Sequence, residues 1–526
     1  MENFRMMLTS PLWTSTPTAS EWLWRPVRDW DNEDTVNSVS AAAPSDRRGQ
    51  WTVVTRQGRD LRIDTDRLRS HHLLFTYVNG QWMVSDDPES LRKHSGSWSR
   101  DAEAADVFLH TGFVVGSRTL VSGVHATPAA STVVLHPDGT WTCSLWDSFG
   151  YSTNPITSAA EFDEAFDHAL DLAVTRLLAH AEGRQLVLPL SGGLDSRLLA
   201  VWLKRLGAPR VIAYTYGKPG SREISISRAV AQALGIDWFS VDLDPSRIAQ
   251  RWHTAAGAHF QGATWGLTSL PHVQDWYALT VIREDHLVDD DAIILPGHAA
   301  VRTLHDTGLL HSSPSNAQVF TAIARRYAVL QGSPEAYRAL PLLREEIRRA
   351  ETEAPLDRER GVQGLLAWFN LRERQAKYIN NSMKAYEFFG YDWALPLLDS
   401  EVWDCWMNGS EELTANRDWY ARYTGAHYAR VTGQEQELYR APSVSMPAVP
   451  KRALLAAMRA TGGDRLLSRV RSVRTMLDHP MAFEAFTEGI PRSEQAWRFA
   501  RGTTSLGLWT QLFLDNQWGT DLVPSS

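Results

Sequence analysis

Cysteine is scarce in this chain. Cys143 and Cys405 are the only two among 526 residues, and they lie far apart in the sequence. Two thiols cannot supply a four-ligand zinc site or a network of disulfides, so both kinds of scaffold are excluded. Low cysteine content is typical of a reducing compartment, and we expect a cytoplasmic protein.

Long hydrophobic runs are also missing. No stretch approaches the roughly 18 consecutive apolar residues of a membrane-spanning helix. The first residues, Met1 to Arg5, lack the basic-then-apolar pattern of a secretion signal. We therefore expect no membrane partner and no export.

Basic residues are in the minority, with 53 Lys and Arg against 61 Asp and Glu and a formal net charge of −8. Non-specific nucleic-acid binding requires a net basic surface, so we expect no nucleic-acid partner. The 22 tryptophans accordingly predict core packing rather than base stacking. Hydrophobic residues make up 43% and charged residues 22%, which is typical of a globular chain of two or three domains at this length.

β-prone segments dominate the chain up to about residue 155. The clearest is a hairpin, in which residues 73–78 and 81–84 flank Asn79-Gly80, a pair favoured in two-residue turns. Further short strands are predicted at 51–55, 107–115 and 131–135. We assign residues 1–155 to one β-rich domain.

The pattern changes after residue 158 to alternating helices and strands. Helices are predicted over 159–181, 194–206 and 222–234, and apolar strands over 185–190, 210–215, 238–241 and 292–295. This alternation predicts an α/β domain whose parallel sheet is covered on both faces. Beyond about residue 312 the pattern is mostly helical, and we assign residues 156–526 to this second domain.

The most informative motif is Leu-Ser-Gly-Gly-Leu-Asp-Ser, from Leu190 to Ser196, between a predicted strand and a predicted helix. Ligands of open α/β sheets bind beyond the carboxyl ends of strands. There the glycines let the backbone approach an anion, the helix N-terminus offers free N–H groups, and Ser191 and Ser196 add hydroxyl donors. Asp195 repels an anion unless a cation lies between them, and a Mg²⁺ ion that bridges carboxylate and phosphates resolves this conflict.

This spacing resembles the pyrophosphate-binding loop of the ATP pyrophosphatase (PP-loop) superfamily. Its members cleave ATP between the α- and β-phosphates and transfer AMP to a carbonyl or carboxylate oxygen. The resemblance implies ATP and Mg²⁺ as cofactors, with Asp195 as a catalytic residue and metal ligand. The residues implied in binding ATP and pyrophosphate here are Leu190, Ser191, Gly192, Gly193, Leu194, Asp195 and Ser196.

Two further blocks narrow the resemblance to the asparagine synthetase family. Residues 214–217, Tyr-Thr-Tyr-Gly, are similar to the adenine-side strand of that family. Residues 380–390 and 395–399, the latter Leu-Pro-Leu-Leu-Asp, resemble the segment that ends in Pro-Phe-Leu-Asp, in the versions seen in amide-forming homologues of polysaccharide and natural-product pathways. Glu223 stands where the family usually has an acidic residue, although a helix-dipole carboxylate fits it equally well. The residues implied on the adenine side of ATP are Tyr214, Thr215, Tyr216 and Gly217.

Residues 84–88 and 110–125 resemble the later part of the N-terminal-nucleophile (Ntn) glutaminase domain of the same family. An active glutaminase of this kind needs Cys at position two, and this chain has Glu2. We therefore expect residues 1–155 to form a degenerate Ntn-hydrolase-like domain without glutaminase activity, as in β-lactam synthetases and lasso-peptide cyclases.

The segment after the fourth predicted strand departs from the family. Relatives carry Gly-x-Gly-x-Asp-Glu there, and the Asp helps to hold Mg²⁺. Here Gly297 is present and implied in ATP binding, but the Asp-Glu pair is absent, with His298, His305 and Asp306 as candidate replacements. The sequence leaves open whether this altered loop supports adenylation.

Cations are also needed near the pyrophosphate. Those available in the matching regions are Arg197, Lys218, Arg372, Lys384, Arg440 and Lys451. We favour Lys451 as a catalytic residue because family members use a lysine in the C-terminal segment. A solvated surface lysine fits it as well.

Together these features predict an ATP-dependent amide ligase that adenylates a small-molecule or peptide carboxylate. The acyl group would pass to an amine or to ammonia, either free or delivered by a partner protein. One alternative is an intramolecular cyclase of the lasso-peptide or β-lactam type. The other is a non-catalytic scaffold, which the lost Asp-Glu pair favours and the intact 190–196 loop disfavours. The acidic balance makes a tRNA-modifying enzyme a poor fit.

Overall fold

The structure, a computed structural model, describes residues 3–16, 20–26, 41–301, 307–310, 313–332, 340–353, 359–435 and 473–516. Within those ranges, no helix combines the length and the apolar character needed to cross a membrane.

Two β-sheets occupy the N-terminal part. The first has the strand order β1-β7-β6-β8 and the second β10-β9-β5-β4-β3-β2. Their strands are β1 Phe4–Met7, β2 Trp13–Ser15, β3 Glu21–Trp24, β4 Thr52–Gln57, β5 Asp60–Thr65, β6 Leu74–Val78, β7 Gln81–Ser85, β8 His125–Ala126, β9 Ser131–Leu135 and β10 Trp141–Leu145. All pairings are antiparallel except that of β1 with β7.

The two sheets pack face to face through a shared apolar core. Phe75 and Trp82 from the first sheet belong to one buried cluster with Val54, Ile63 and Val133 from the second. This packing gives each strand one buried face, as alternating strands require.

The predicted hairpin is confirmed. Strands β6 and β7 pair from Val78 and Gln81 outward, around the turn at Asn79-Gly80. Both turn residues have positive φ, 51° at Asn79 and 80° at Gly80, which is the conformation of a type I′ turn.

The strand predicted at 107–115 is wrong, because a helix, α2, covers Ala102–Thr111 after the shorter helix α1, Pro88–Ser95. The carboxylate of Asp101 accepts from the amide of Ala104 at 3.0 Å and caps the N-terminus of α2. Gly112, with φ of 82°, ends the helix in the left-handed conformation. A short apolar run is compatible with either a buried strand or a buried helix, and here the caps decide.

A five-stranded parallel sheet forms the centre of the second part. Its order is β13-β12-β11-β14-β15, with β11 Leu186–Pro189, β12 Val211–Gly217, β13 Asp237–Asp242, β14 Ile293–Ile294 and β15 Asp392–Trp393. The chain moves outward from β11 to β13 and then returns to the other side of β11. The carboxyl ends of β11 and β14 therefore flank a topological switch point, the usual ligand site of open α/β sheets.

Helices surround this sheet and make up the C-terminal part. They are α3 Ala159–Ala181, α4 Asp195–Arg205, α5 Arg222–Leu234, α6 Pro245–Trp252, α7 Ala255–Thr264, α8 Trp276–Glu284, α9 Thr307–Leu310, α10 Asn316–Tyr327, α11 Pro341–Glu353, α12 Gly361–Trp368, α13 Met383–Phe388, α14 Ser400–Asn408, α15 Glu411–Thr414, α16 Asp418–Thr432, α17 Arg492–Ala500 and α18 Ser505–Leu514. Residues Phe369–Ile379 form a π-helical segment after α12. The predicted fold class is confirmed: a β-rich region, then a parallel α/β sheet, then a largely helical part.

The two predicted domains share backbone hydrogen bonds. The amides of Val114 and Leu120 donate to the carbonyl oxygens of Thr268 and Leu267 at 2.8 and 2.9 Å. The largest buried apolar cluster includes side chains from both sides of residue 155, such as Phe108 and Phe513. The boundary near residue 155 stays a prediction.

A buried ion pair also crosses that boundary. The amine of Lys377 donates to Glu373 at 2.5 Å and to the carbonyl oxygen of Gly116 at 2.6 Å, while the amide of Gly116 donates to Glu373 at 3.0 Å. Both charged side chains are buried, and burial lowers the pKa of Lys377 to about 8. An N-terminal loop thus contributes two of the hydrogen bonds around this buried ion pair.

Candidate functional site

The 190–196 segment connects β11 to α4 and folds back on the first turn of the helix. The amide of Ser191 donates to the Ser196 hydroxyl at 3.1 Å, and the two hydroxyls lie 3.0 Å apart. The amide of Gly193 donates to the Ser191 hydroxyl at 3.2 Å. No side chain of the described residues caps the N-terminus of α4, so its first-turn amides are directed at the loop. The arrangement suits an anion.

Gly297, in the loop after β14, packs directly against this segment. A Cβ atom at Gly297 would lie 2.6 Å from the amide nitrogen of Ser196 and 2.9 Å from its Cα. The close approach therefore requires glycine. The structure brings Gly297 to the motif, and the carboxyl ends of β11 and β14 meet here. His298 follows directly, while His305 and Asp306 lie outside the described residues.

Glu223, in the first turn of α5, also reaches the loop. Its carboxylate accepts a hydrogen bond from the backbone amide of Gly192. Burial raises the pKa of Glu223, and this hydrogen bond opposes the shift. The position of Glu223 is compatible both with a helix-dipole carboxylate and with the acidic residue of the family, because the carboxylate is at a helix N-terminus and beside the predicted phosphate loop.

Thr215 ties β12 to the loop from one face of the sheet. Its hydroxyl donates to the carbonyl oxygen of Leu190 at 2.6 Å, and Ser227 donates to the same oxygen at 2.8 Å. The Trp238 indole donates to Ser227 at 3.0 Å. The Thr215 hydroxyl is thus engaged inside the fold, where it holds the strand end and the loop in register.

Tyr214 and Tyr216 point to the opposite face of β12. The Tyr216 hydroxyl donates to the carboxylate of Asp275, and the Tyr386 hydroxyl donates to the same carboxylate at 3.3 Å. Burial raises the pKa of Tyr214 and of Tyr216 well above the ordinary value, so both phenols stay protonated. Tyr214 is fully buried against Phe239, with ring centroids 5.8 Å apart.

Asp195 is the first residue of α4 and is paired with an arginine that the sequence did not indicate. The guanidinium of Arg417 donates from Nη2 to Oδ1 of Asp195. Arg417 immediately precedes α16 and lies over the ring of Tyr420, with its Cζ 5.0 Å from the ring centroid. The side chains of Arg417 and Asp195 are 32% and 27% exposed, so the pair borders solvent.

Helix α16 reaches the site because it packs along α4. The rings of Trp202 and Tyr423 stack with centroids 6.0 Å apart, and Arg197 lies 5.2 Å from the ring centroid of Tyr428. These contacts align the two helix N-termini. Arg417 and Asp195 are far apart in sequence, and only this packing brings them together.

The other predicted cations are engaged elsewhere or lie outside the described residues. Lys218 follows β12 and pairs with Asp478 and with Glu484, the latter at 2.5 Å. These hydrogen bonds raise the pKa of Lys218 although partial burial opposes them. Arg372 is buried with Glu346 at 3.3 Å, and Lys384 lies near His72 at Gly266. Arg440 and Lys451 lie outside the described residues.

Asp399, the last residue of the second sequence block, has a structural position. Both its carboxylate oxygens accept from Arg176 at 2.9 Å, and it caps α14 through the amide of Glu401 at 3.4 Å. Burial and the nearby Glu401 raise the pKa of Asp399 to about 7, although Arg176 opposes the shift. This network fixes the second block against α3.

A metal ion at this site would depend on the nucleotide. Across the described ranges, no cluster of three or more His, Cys, Asp or Glu side chains could hold a metal ion. Mg²⁺ is commonly held by one or two carboxylates together with phosphate oxygens. Asp195 fits that mode, in which the phosphates supply most of the ligands, and does not fit an all-protein cage.

Comparison with known proteins identifies one domain. Residues 165–288 match the asparagine synthase family model. The resemblance predicted from the sequence is confirmed over this segment, which contains the 190–196 loop, residues 214–217 and Asp275. The match supports the general class of ATP-dependent amide ligase.

The remaining comparisons are distant. No curated protein matches the chain. Among solved structures, an NAD+ synthetase from Burkholderia pseudomallei is similar at 12% sequence identity over 60% of this chain and 92% of that chain, with a TM-score of 0.17. That similarity carries no argument about activity.

Proposed function

We propose that the chain is an AMP-forming amide ligase that adenylates a carboxylate and transfers the acyl group to an amine or ammonia. The observation that carries the proposal is the serine-glycine loop 190–196, which lies at a helix N-terminus and a topological switch point inside an asparagine synthase domain. Amide and hydroxyl donors converge there, and polyphosphate is the anion that suits them.

The reaction has two steps. A carboxylate oxygen of the substrate forms a bond to the α-phosphorus of ATP, the bond from that phosphorus to the bridging oxygen breaks, and pyrophosphate leaves. The amine nitrogen then bonds to the acyl carbon, AMP leaves and the nitrogen loses a proton. Most of the protein's contribution is positioning of the reactants and stabilisation of the charge that develops on the leaving phosphates.

The residues of this chain would divide that work. The amides of Gly192 and Gly193 and the hydroxyls of Ser191 and Ser196 would bind the phosphates. Arg417 would add a guanidinium whose planar donors match phosphate oxygens. Asp195 would hold Mg²⁺, which when bound neutralises negative charge on the phosphates. We keep Lys451 as a second candidate cation.

Adenine binding is proposed at the carboxyl end of β12. Tyr216 and Gly217 lie at that end, beside the loop to which Thr215 is bonded. Glu223 would give up the Gly192 amide when phosphate binds.

A non-catalytic scaffold is the second candidate. Its support is the segment after β14, where Leu295, Ala299, Ala300 and Val301 are buried apolar residues and Asp195 already has an internal cation. Such a protein would bind ATP without turning it over.

The test is a screen of carboxylic acids with ATP, Mg²⁺ and ammonia, in which AMP and amide are measured. We expect AMP and amide in equal amounts with at least one acid, and no glutamate release when glutamine replaces ammonia. Cyclisation of a substrate without added amine would assign the intramolecular variant. ATP binding without AMP from any acid would favour the scaffold, and glutamate release would contradict the predicted loss of the glutaminase.

A further inference from the structure

We propose that Arg417 is an internal counter-ion of Asp195 that makes divalent-cation binding at this carboxylate conditional on polyphosphate. The inference rests on the proposed function, since it concerns the same phosphate site. It also predicts the order in which that site is filled. The metal is retained only when phosphate is present to accept the displaced guanidinium.

The carboxylate of Asp195 is already paired with Arg417 before any metal binds. Nη2 of Arg417 donates to Oδ1, so the carboxylate predicted to bind a metal already has a cationic partner. Both side chains are about one-third exposed, at 32% and 27%. Ion pairs at this exposure are weakly held, and a competing cation can displace them.

Arg417 stays beside the loop when its ion pair with Asp195 opens. Its guanidinium stacks on Tyr420, which is fully buried, and its backbone is fixed at the start of α16 by the Asn416 side chain, which accepts from the Asp418 amide at 2.8 Å. Among the described residues, Nε of Arg417 is buried without a hydrogen-bond partner. The guanidinium therefore stays next to the phosphate loop with one of its donors unused.

Charge repulsion from Arg417 opposes a metal ion that binds without phosphate. A guanidinium and a divalent cation repel each other at one carboxylate, so a metal that arrives alone competes against the resident charge. Polyphosphate relieves this repulsion, because its oxygens accept the guanidinium donors and also ligate the metal. The coupling is reciprocal, so metal also strengthens polyphosphate binding.

The experiment measures binding rather than turnover. Mn²⁺ is titrated into the full chain, with and without inorganic pyrophosphate, and free Mn²⁺ is followed by electron paramagnetic resonance against matched titrations without protein, which correct for Mn²⁺ bound by pyrophosphate in solution. For the wild type we expect Mn²⁺ to bind about tenfold more tightly with pyrophosphate, within the usual range of coupling between two ligands. For Arg417→Met we expect tighter Mn²⁺ binding without pyrophosphate, weaker pyrophosphate binding, and loss of most of the coupling.

Two further variants make the result specific. Arg422→Met is the matched control, because Arg422 lies on the same helix, is 59% exposed and pairs only loosely with Asp163 at 3.9 Å. It should behave as the wild type. If Arg417→Met does not fold, Asp195→Asn takes its place: pyrophosphate binding without metal should persist and the Mn²⁺ enhancement should disappear.

The outcomes separate the two proposals. Equal Mn²⁺ affinity in the wild type, Arg417→Met and Arg422→Met, with the coupling intact, overturns the role of Arg417 and leaves the proposed function standing. A wild type that binds neither pyrophosphate nor ATP overturns the proposed function, and this inference with it.

Discussion

At the scale of single residues, the site is a set of close approaches around the N-terminus of α4. Ser191, Gly193 and Ser196 are bonded to one another within the loop, and Gly297 is packed on Ser196 from the neighbouring strand. The motif and Gly297 could be predicted from the sequence because their residue types are required locally. Arg417 and Asp275 could not, because their partners come from the packing of distant helices and strands.

Substitution of Asp195 tests whether its carboxylate is a metal ligand. Asp195→Asn should leave the thermal unfolding midpoint nearly unchanged, since the two side chains are similar in volume and the ion pair with Arg417 is partly exposed. It should abolish Mg²⁺-dependent adenylation, a loss on the order of several kcal/mol of transition-state stabilisation. ATP–pyrophosphate exchange with an accepted acid measures this, and an unchanged rate would remove the metal role.

Gly297→Ala should damage the site by steric conflict alone. The added Cβ would be 2.6 Å from the Ser196 amide nitrogen, so the loop must shift. We expect a loss of about 1–3 kcal/mol in the free energy of unfolding and weaker pyrophosphate binding. Gly364→Ala is the control, because no atom lies within 4 Å of its added Cβ. Equal behaviour of the two variants in melting and in pyrophosphate titration would contradict the close packing.

At the scale of elements, the helices and strands that the sequence predicted individually agree with the structure to within about two residues, apart from the strand at 107–115, whereas the helices beyond residue 312 were predicted only as a mostly helical region. Helix Ala159–Ala181 and helix Arg222–Leu234 have the predicted bounds, because periodic apolar residues and the residues at their ends agree. The strand predicted at 107–115 was wrong, because a short apolar run is compatible with either a strand or a helix. The two-residue strand Asp392–Trp393 was also missed, since it exists only through pairing with β14.

Asp86 holds the N-terminal strand segments to the first sheet. Its carboxylate accepts from the amide of Thr9 at 2.8 Å, the amide of Ser10 at 3.0 Å and the indole of Trp13 at 2.8 Å. Burial opposes ionisation, but these donors and His71 hold the pKa of Asp86 well below its ordinary value. A carboxyl whose pKa is lowered in the folded state stabilises that state at pH values above the pKa that the same carboxyl has in the unfolded chain, about 3.9.

Asp86→Asn should therefore be destabilising in a pH-dependent way. At pH 7 we expect a loss of about 1.5–3 kcal/mol, the usual range for hydrogen bonds to a charged group. The difference from the wild type should shrink as the pH falls below about 4, where the unfolded chain takes up the proton first. Thermal unfolding midpoints at pH 7, 5 and 3.5 test this, and a difference that stays constant or grows in acid would be inconsistent with it.

At the scale of the whole molecule, the two N-terminal sheets and the α/β and helical part that follows them share a polar boundary. Lys377 and Glu373 are buried on the π-helical segment, and the backbone of Gly116 forms a hydrogen bond with each of them. The N-terminal part therefore supplies some of the hydrogen bonds of an ion pair that is buried in the later part of the chain.

Lys377→Met should weaken both parts together. The removal of one partner leaves Glu373 as a buried unpaired charge, which costs about 3–5 kcal/mol. The double variant Lys377→Met with Glu373→Gln should recover part of that loss. Tryptophan fluorescence and circular dichroism should report one shared, lowered midpoint. Two separate transitions, with the second at the wild-type midpoint, would show that the parts are independent.

A crystal structure with Mg²⁺ and a non-hydrolysable α,β-methylene analogue of ATP would show whether the loop from Ser191 to Ser196 holds the phosphates of ATP. We expect phosphate oxygens within hydrogen-bond distance of the Gly192 and Gly193 amides, adenine at residues 214–217, and Arg417 turned from Asp195 to the phosphates. A nucleotide bound elsewhere, with this loop empty and the Asp195–Arg417 pair intact, would contradict it.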